Sequence, residues 1–315
     1  MKPATLIRTG LLLASGLASV QFHATEAIAP AARAPLAMPV APVIPDVPAF
    51  RATTLRLANL PRPTGPVRSL FNGHDFAGLE PWLGYDDPAL TYTFPQQAPL
   101  GRTGLGDVFK VVDEDGSPAI LVTGRIWGAL LTPDLGNVHL RLYYKWGVAT
   151  LPGAVRNSGI LYHSHGPLGG FMGTWMNSVE FDMMPPNTGM AVPVGDVVRY
   201  RTEIGEDGPG FYRYMPGGKS VTVGFPTWVH TMRDAERPSG EWNQLDLYLA
   251  GDRSVQVVNG VPVLALSGLA LVDKDGVSHA LTHGRIQLQS EGWEIYLRDI
   301  TVEPIKKVPR VVAAP

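Results

Sequence analysis

The chain has 315 residues, 45% of them hydrophobic, with 35 Gly, 29 Pro and no Cys. That apolar supply fills one large or two small cores, and the abundance of Gly and Pro suits short strands joined by turns. A formal net charge of −2 gives no pull towards nucleic acid or an anionic membrane. Without Cys there is no disulfide, thiol nucleophile or thiolate metal site.

In chain order, Lys2 and Arg8 flank the start of an apolar run, Gly10 to Phe22, followed by small residues at Ala24, Ala27 and Ala29. This is the pattern of a signal peptide over 1–27, and it predicts a periplasmic or secreted protein. The run is short for a bilayer span, so a membrane tether follows only if the segment is retained. Residues 28–66 are dominated by Ala, Pro and Val. Repeated Pro blocks helices and removes ladder donors, so this stretch is expected to be a disordered linker. A single domain is expected over 67–306, with 307–315 as a tail.

From Ser69 onward the chain becomes a series of short β-branched and aromatic segments. They include VFKVV (108–112), VHLRLYYKW (138–146), SGILYH (158–163), SVEFDMM (178–184), VVRYRTEI (197–204), QLDLYLA (244–250), RIQLQSE (285–291) and IYLRDITVEPI (295–305). Most end at Gly, Pro, Asn or Asp. Their alternation predicts an all-β fold, an antiparallel sandwich or jelly roll. Two Gly/Pro-rich stretches, 164–177 and 205–243, read as long loops, and their aromatics, Trp175 and Trp228 among them, suit stacking on a sugar ring.

Within this pattern some faces carry chemistry. Ser178, Glu180 and Asp182 share one face of a strand, because side chains alternate. The two carboxyls then lie roughly 6–7 Å apart, close enough for paired acid/base work or for a shared cation. The structural alternative is a salt bridge from one of them to an Arg on the next strand. By the same alternation Asn157, Leu161, His163 and His165 share a face. His163 then serves as a general acid/base, or His163 and His165 together as ligands of a divalent metal such as Ca or Mn. The alternative is plain hydrogen bonding. Gln287, Gln289 and Glu291 form a further polar row, matched to hydroxyls that donate and accept, or to a solvated face. There is no Gly-x-Ser-x-Gly elbow, no phosphate-binding loop and no dinucleotide fingerprint, so no nucleotide cofactor is expected.

Several motifs in order resemble a known family. Ser69-Leu70-Phe71-Asn72-Gly73-His74-Asp75-Phe76 resembles its opening SLFNGKDL, and Asn157-Ser158-Gly159-Ile160 its NSGI signature. Val179-Glu180-Phe181-Asp182 resembles its Glu-x-Gln strand, Gly240-Glu241-Trp242-Asn243 its GEWN, and Val258-Asn259-Gly260 its hairpin. Gly284-Arg285-Ile286-Gln287-Leu288-Gln289 with Leu297-Arg298-Asp299-Ile300 resembles its close. The resemblance, over 69–305, is to the 3-keto-disaccharide hydrolase family, whose fold is similar to concanavalin-like lectins and glucanases. It implies cleavage of 3-keto-glycosides, by hydrolysis or by C2-proton abstraction with elimination and hydration. Glu180 falls on the family's Glu and is expected to be the base, with His163 assisting. Asn157, Trp175, Asp182, Gln289 and Glu291 are expected to hold the sugar. The chain departs from the pattern at His74 for Lys, Leu79 for Trp, Asp182 for Gln and Asp299 for Asn. The alternative is a non-catalytic, lectin-like carbohydrate-binding module, since such sandwiches do both jobs.

Overall fold

The computed structural model describes residues 54–93, 97–208 and 211–314. The expected signal segment and most of the expected linker lie outside the described residues. Among the described residues no helix is long and apolar enough to cross a membrane.

Among the described residues the regular structure is almost entirely strand. In order these are β1 (Leu55–Ala58), β2 (Arg68–Ser69), β3 (Glu80–Leu83), β4 (Phe109–Glu114), β5 (Ser117–Val122), β6 (Gly128–Leu131), β7 (Val138–Thr150), β8 (Gly159–His165), β9 (Asn177–Asp182) and β10 (Met190–Val194). They continue as β11 (Val198–Gly208), β12 (Phe211–Tyr214), β13 (Lys219–Gly224), β14 (Val229–His230), β15 (Asn243–Ala250) and β16 (Arg253–Val258). The last are β17 (Val261–Val272), β18 (Ser278–Ala280), β19 (Arg285–Ser290), β20 (Trp293–Pro304) and β21 (Arg310–Ala313). Among the described residues one 3₁₀ turn, Pro88–Thr93, interrupts them.

The strands form the expected antiparallel sandwich. One sheet runs β4–β5–β20–β7–β15–β16–β17, with β2 on β20. The other runs β3–β6–β19–β8–β9–β10 and continues through β14 and β12 to β11. β17 pairs with β16 by its first half and with β11 by its second, so it joins the two sheets along one edge. The core between them is what alternation requires. Leu140, Leu142, Tyr144 and Trp146 of β7 face Ile160, Tyr162, Val179 and Phe181 of β8 and β9 within one buried apolar cluster. Burying four such side chains on each sheet contributes on the order of 2 kcal/mol apiece.

Two expectations are corrected. The stretch 205–243 is not one long loop, because β12, β13 and β14 lie within it and Tyr214 is in the core. The end of the expected linker and the expected tail are also ordered together: β1 pairs with β21, Leu55 opposite Ala313 and Ala58 opposite Arg310. The linker's Pro-rich composition lapses between Phe50 and Leu60, and there Leu55 and Leu57 alternate as in any half-buried strand.

Candidate active site

The outer face of the second sheet carries a cleft of about 350 Å³. Strand register explains what lies on its floor. Leu161 of β8 is opposite Gln287 of β19 on one side and Glu180 of β9 on the other, and Glu180 is opposite Val192 of β10. In the adjoining row, Gly159 is opposite Asp182, which is opposite Met190. The strand order β19–β8–β9–β10 therefore sorts the floor by polarity. Gln289, Glu291, Asn157, Glu180 and Asp182 occupy the half over β19, β8 and β9; Met190, Val192 and Val194 occupy the half over β10.

Gly159 makes the acidic half possible. A Cβ at this position would lie 2.3 Å from Glu180 Oε1 and 3.0 Å from Gln289 Oε1. Only a residue without a side chain lets both groups lie across the β8 backbone. The carboxyls are almost fully buried: Glu180 is 6% exposed, Asp182 4% and Glu291 5%. Among the described residues no Lys, Arg or His lines the cleft, so the expected alternative of an Arg salt bridge is not what the cleft provides. Burial raises the Glu180 pKa well above the carboxylate range, and the neighbouring charges of Asp182 and Glu291 raise it further, against a hydrogen bond from Gln289. Burial pushes Asp182 up to about 8, and burial with the Asp182 charge pushes Glu291 up to about 8. Three acids that cannot all ionise near neutrality hold at least one proton between them.

The cleft's polar atoms are unmatched within the protein. Glu180 Oε1, Asp182 Oδ1, Asn157 Oδ1, Gln289 Oε1 and Trp175 Nε1 are all buried and take part in no protein hydrogen bond. Buried polar atoms are normally paired, at a cost of about 1–3 kcal/mol each when they are not. Five on one wall constitute a surface shaped for an external polar molecule.

The walls come from loops. The segment 166–176 is pinned at three points: Trp82 Nε1 donates to Gly173 O (3.1 Å), Met176 N donates to Gln287 Oε1 (3.0 Å), and the Thr91 and Thr174 hydroxyls meet at 3.3 Å. This sets Trp175 over the acidic half, its ring stacked on Trp127 at 5.9 Å and 27°. Tyr92, on the 3₁₀ turn, packs edge-on against Trp127 at 5.6 Å. Its phenol lies close enough to Glu291 and Glu180 that their charges, added to the larger effect of burial, raise its pKa. The remaining wall, Phe225, Pro226 and Trp228, follows β13.

The structure thus brings together Asn157, Trp175, Glu180, Asp182, Gln289 and Glu291. It does not bring His163 or His165 to the cleft. Between Tyr162 and His165 the β8–β9 register shifts, and His163 takes a left-handed φ of 51°. The bulge breaks the alternation on which the shared face was built. Ser164 turns to the Gln287 side, its hydroxyl accepting from Gln287 Nε2 at 2.9 Å. His163 is buried on another side, at 1% exposure, and burial with the neighbouring His283 lowers its pKa to about 4. His165 sits at the sheet end, its ring 5.5 Å from that of His283. The expected Glu180–His163 couple is replaced by a cluster of carboxyls. The expected His163–His165 metal pair also lacks a ligand set, since among the described residues no three His, Asp or Glu side chains converge as one.

Tyr92, Phe225 and the β10 row were outside the sequence prediction. For the β10 row the signal was present, since Met190, Val192 and Val194 alternate around Pro193. For Tyr92, in a segment without strand periodicity, there was none.

The family model of the 3-keto-alpha-glucoside-1,2-lyase-like domain matches residues 66–303. No curated protein sequence matches at a significant level. Among solved structures, two Parabacteroides distasonis ATCC 8503 proteins provisionally named as glycosyl hydrolases are similar, at 16% and 18% identity and TM-scores of 0.44 and 0.43. Each match covers 76% of this chain and 100% or 94% of the other. A Bacillus licheniformis β-glucanase is similar at 10% identity and a TM-score of 0.36, over 78% of this chain and 100% of that one. The family match spans both sheets and every residue of the acidic floor, and the chain belongs to the 3-keto-alpha-glucoside-1,2-lyase-like family.

Proposed function

We propose that this domain cleaves 3-keto-glucosides by elimination, with the acidic half of the cleft supplying both the base and the acid. The observation that supports it is the trio of buried carboxyls, Glu180, Asp182 and Glu291, with raised pKa values and no cation beside them. A C3 ketone acidifies the proton on C2, so a carboxylate is a strong enough base. Glu180, whose Oε1 is free of protein partners, takes that proton in the state of the trio in which it is ionised and the shared proton rests on Asp182 or Glu291. The C–H electrons move through the enolate of the C3 oxygen to form the C1–C2 double bond. The C1–O bond breaks, and the leaving oxygen takes a proton from Asp182 or Glu291, whichever neighbour holds it. The trio begins and ends with the same number of protons, so no net charge is created in the buried site. Water adds across the double bond by the same groups in reverse.

The unpartnered Trp175 Nε1–H is a donor for the developing C3 oxyanion, the kind of positioned dipole that acts most strongly where water is excluded. Asn157 and Gln289 accept from the ring hydroxyls through their free carbonyl oxygens. The signal pattern over 1–27 supports a site of action outside the cytoplasm, and cell fractionation tests it.

The test is C2-proton exchange and turnover of 3-keto-trehalose in D₂O, followed by NMR, for wild type and Glu180→Gln. The expected result is exchange and enone formation in wild type and neither in the variant. Unchanged exchange in the variant removes Glu180 as the base. Saturable binding with neither exchange nor turnover in wild type means a lectin-like module instead.

A further inference from the structure

The division of the cleft by polarity has a consequence for the leaving group. We infer that the preferred substrates are 3-keto-glucosides of flat aromatic alcohols rather than disaccharides, a conclusion that rests on the function proposed above.

The keto-sugar is fixed over β19, β8 and β9, where the five unpartnered polar atoms are. The leaving group must then extend along the remaining space, which lies over β10 and the wall after β13. Met190, Val192 and Val194 form the floor there, facing the cleft because they pair in register with Asp182, Glu180 and Ser178. Phe225 and Trp228 form the wall, both half-buried. Phe171 meets Phe225 edge-on at 5.4 Å and 74°, closing that end from the opposite loop. None of these six side chains offers a hydrogen bond to a sugar except the single indole N–H of Trp228. A second sugar brings at least four hydroxyls, and each one left dry and unpaired weakens binding. An aromatic ring has no such cost. It gains edge-to-face contacts of the kind Phe171 and Phe225 already make, and a methionine–aromatic contact with Met190. The cleft volume of about 350 Å³ is at the small end for ligand pockets and accommodates one sugar ring with one aromatic group.

Two arms test this. The binding arm uses calorimetry with 2-naphthylmethyl α-glucoside and with trehalose, neither oxidised at C3, on the full chain. It needs no turnover. The expected result is at least tenfold tighter binding of the naphthylmethyl glucoside, an advantage reduced about tenfold in Trp228→Ala and in Phe225→Ala. The turnover arm compares kcat/KM for the 3-keto forms of the same two compounds; the anomeric hydroxyl released from trehalose is the more acidic leaving group, so intrinsic reactivity works against the aromatic substrate and cannot produce the expected preference. A tenfold or greater preference for the aromatic substrate, carried mainly by KM, is expected. Equal or weaker binding of the naphthylmethyl glucoside than of trehalose overturns the inference, whatever the turnover. Tight binding with no turnover of either substrate leaves the aromatic subsite standing and overturns the elimination chemistry instead. A variant that folds, judged by its melting curve, and keeps the full advantage removes that wall from the subsite.

Discussion

Two buried carboxylates in this molecule have nearly the same exposure and opposite acidities. Asp246, on β15 in the first sheet, is 3% exposed; Asp182, on β9 in the second, is 4% exposed. Burial pushes both pKa values up. Around Asp246 the hydrogen bonds from His139, Gln244 and Arg141 outweigh it and hold the carboxyl below its ordinary value. The distances are 2.7 Å from His139 Nε2, 2.7 Å from Arg141 Nε and 2.6 Å from Gln244 Nε2. His139 in turn reaches Glu303 through Nδ1 at 2.8 Å and stacks on Tyr248 at 4.1 Å. Asp182 has no such network: its Oδ1 is unpartnered and burial prevails. Burial alone therefore does not mark a functional acid. What separates the two is whether the protein itself completes the hydrogen bonding. The first sheet satisfies its carboxylate from within the protein, and the second leaves buried carboxyl oxygens without protein partners.

The largest effect that could break this comparison is on chemistry. Glu180→Gln should lower turnover of a 3-keto-glucoside about 10³-fold with no loss of melting temperature, as expected when a positioned base is removed. Asp246→Asn should do the reverse. It leaves His139 and Arg141 without their carboxylate and should cost about 3 kcal/mol at pH 7, a melting temperature lower by roughly 6–12 °C. The effect should fade on acidification. The folded pKa of Asp246 is depressed, so its stabilisation is present above the unfolded carboxyl value and is lost as pH falls through the folded one. Glu291→Gln should move in the opposite direction. The folded pKa is raised to about 8, so wild type is progressively penalised as pH rises from about 4 to 8, and the amide removes that penalty. A gain on the order of 2 kcal/mol is expected at pH 8 and none at pH 4. Melting curves of both variants at pH 4, 6 and 8 check the pair. Two differences of the same sign at pH 8 would sink the contrast between a satisfied and an unsatisfied acid.

How far this was legible in the chain depends on the kind of information each feature needs. The sandwich could be read because alternation is local: Val179 and Phe181 inward with Glu180 and Asp182 outward is a property of four consecutive residues. The same rule failed at His163, because a left-handed residue and a register shift reverse the parity without any Gly or Pro to announce them. The polar row Gln287–Gln289–Glu291 was visible, but not that β19 lies beside β8, a pairing between segments more than a hundred residues apart. Tyr92 comes from one segment and Phe225 and Trp228 from another, and the two meet only in the folded cleft. Nor could the sequence show that Asp182 keeps Oδ1 unpartnered while Asp246 has three side-chain donors. Both are Asp on an apolar strand, and the difference lies entirely in which strands are neighbours.

The smallest effect sharpens the comparison within a single strand. Gln287 and Gln289 sit two residues apart on the same face of β19, both nearly fully buried. Gln287 is fully used by the protein: it donates to Ser164 Oγ and accepts from Met176 N, which fastens the loop carrying Trp175. Gln289 keeps Oε1 unpartnered beside Gly159 and Glu180. Replacing each by Ala removes an equal volume, so cavity costs should be similar and the polar groups left behind decide the outcome. Gln287→Ala strands a buried amide N–H and should lower stability by a further ~1–2 kcal/mol, read as a fall in melting temperature of several degrees. Gln289→Ala strands no buried N–H; it removes the free carbonyl oxygen and the hydrogen bond to Glu180, so its loss should fall on activity, with KM raised about five- to tenfold for one hydrogen bond to a sugar hydroxyl and the Glu180 pKa raised further. If the two variants instead lose stability equally and KM does not distinguish them, the unpartnered oxygen of Gln289 is a packing accident and not part of the binding surface.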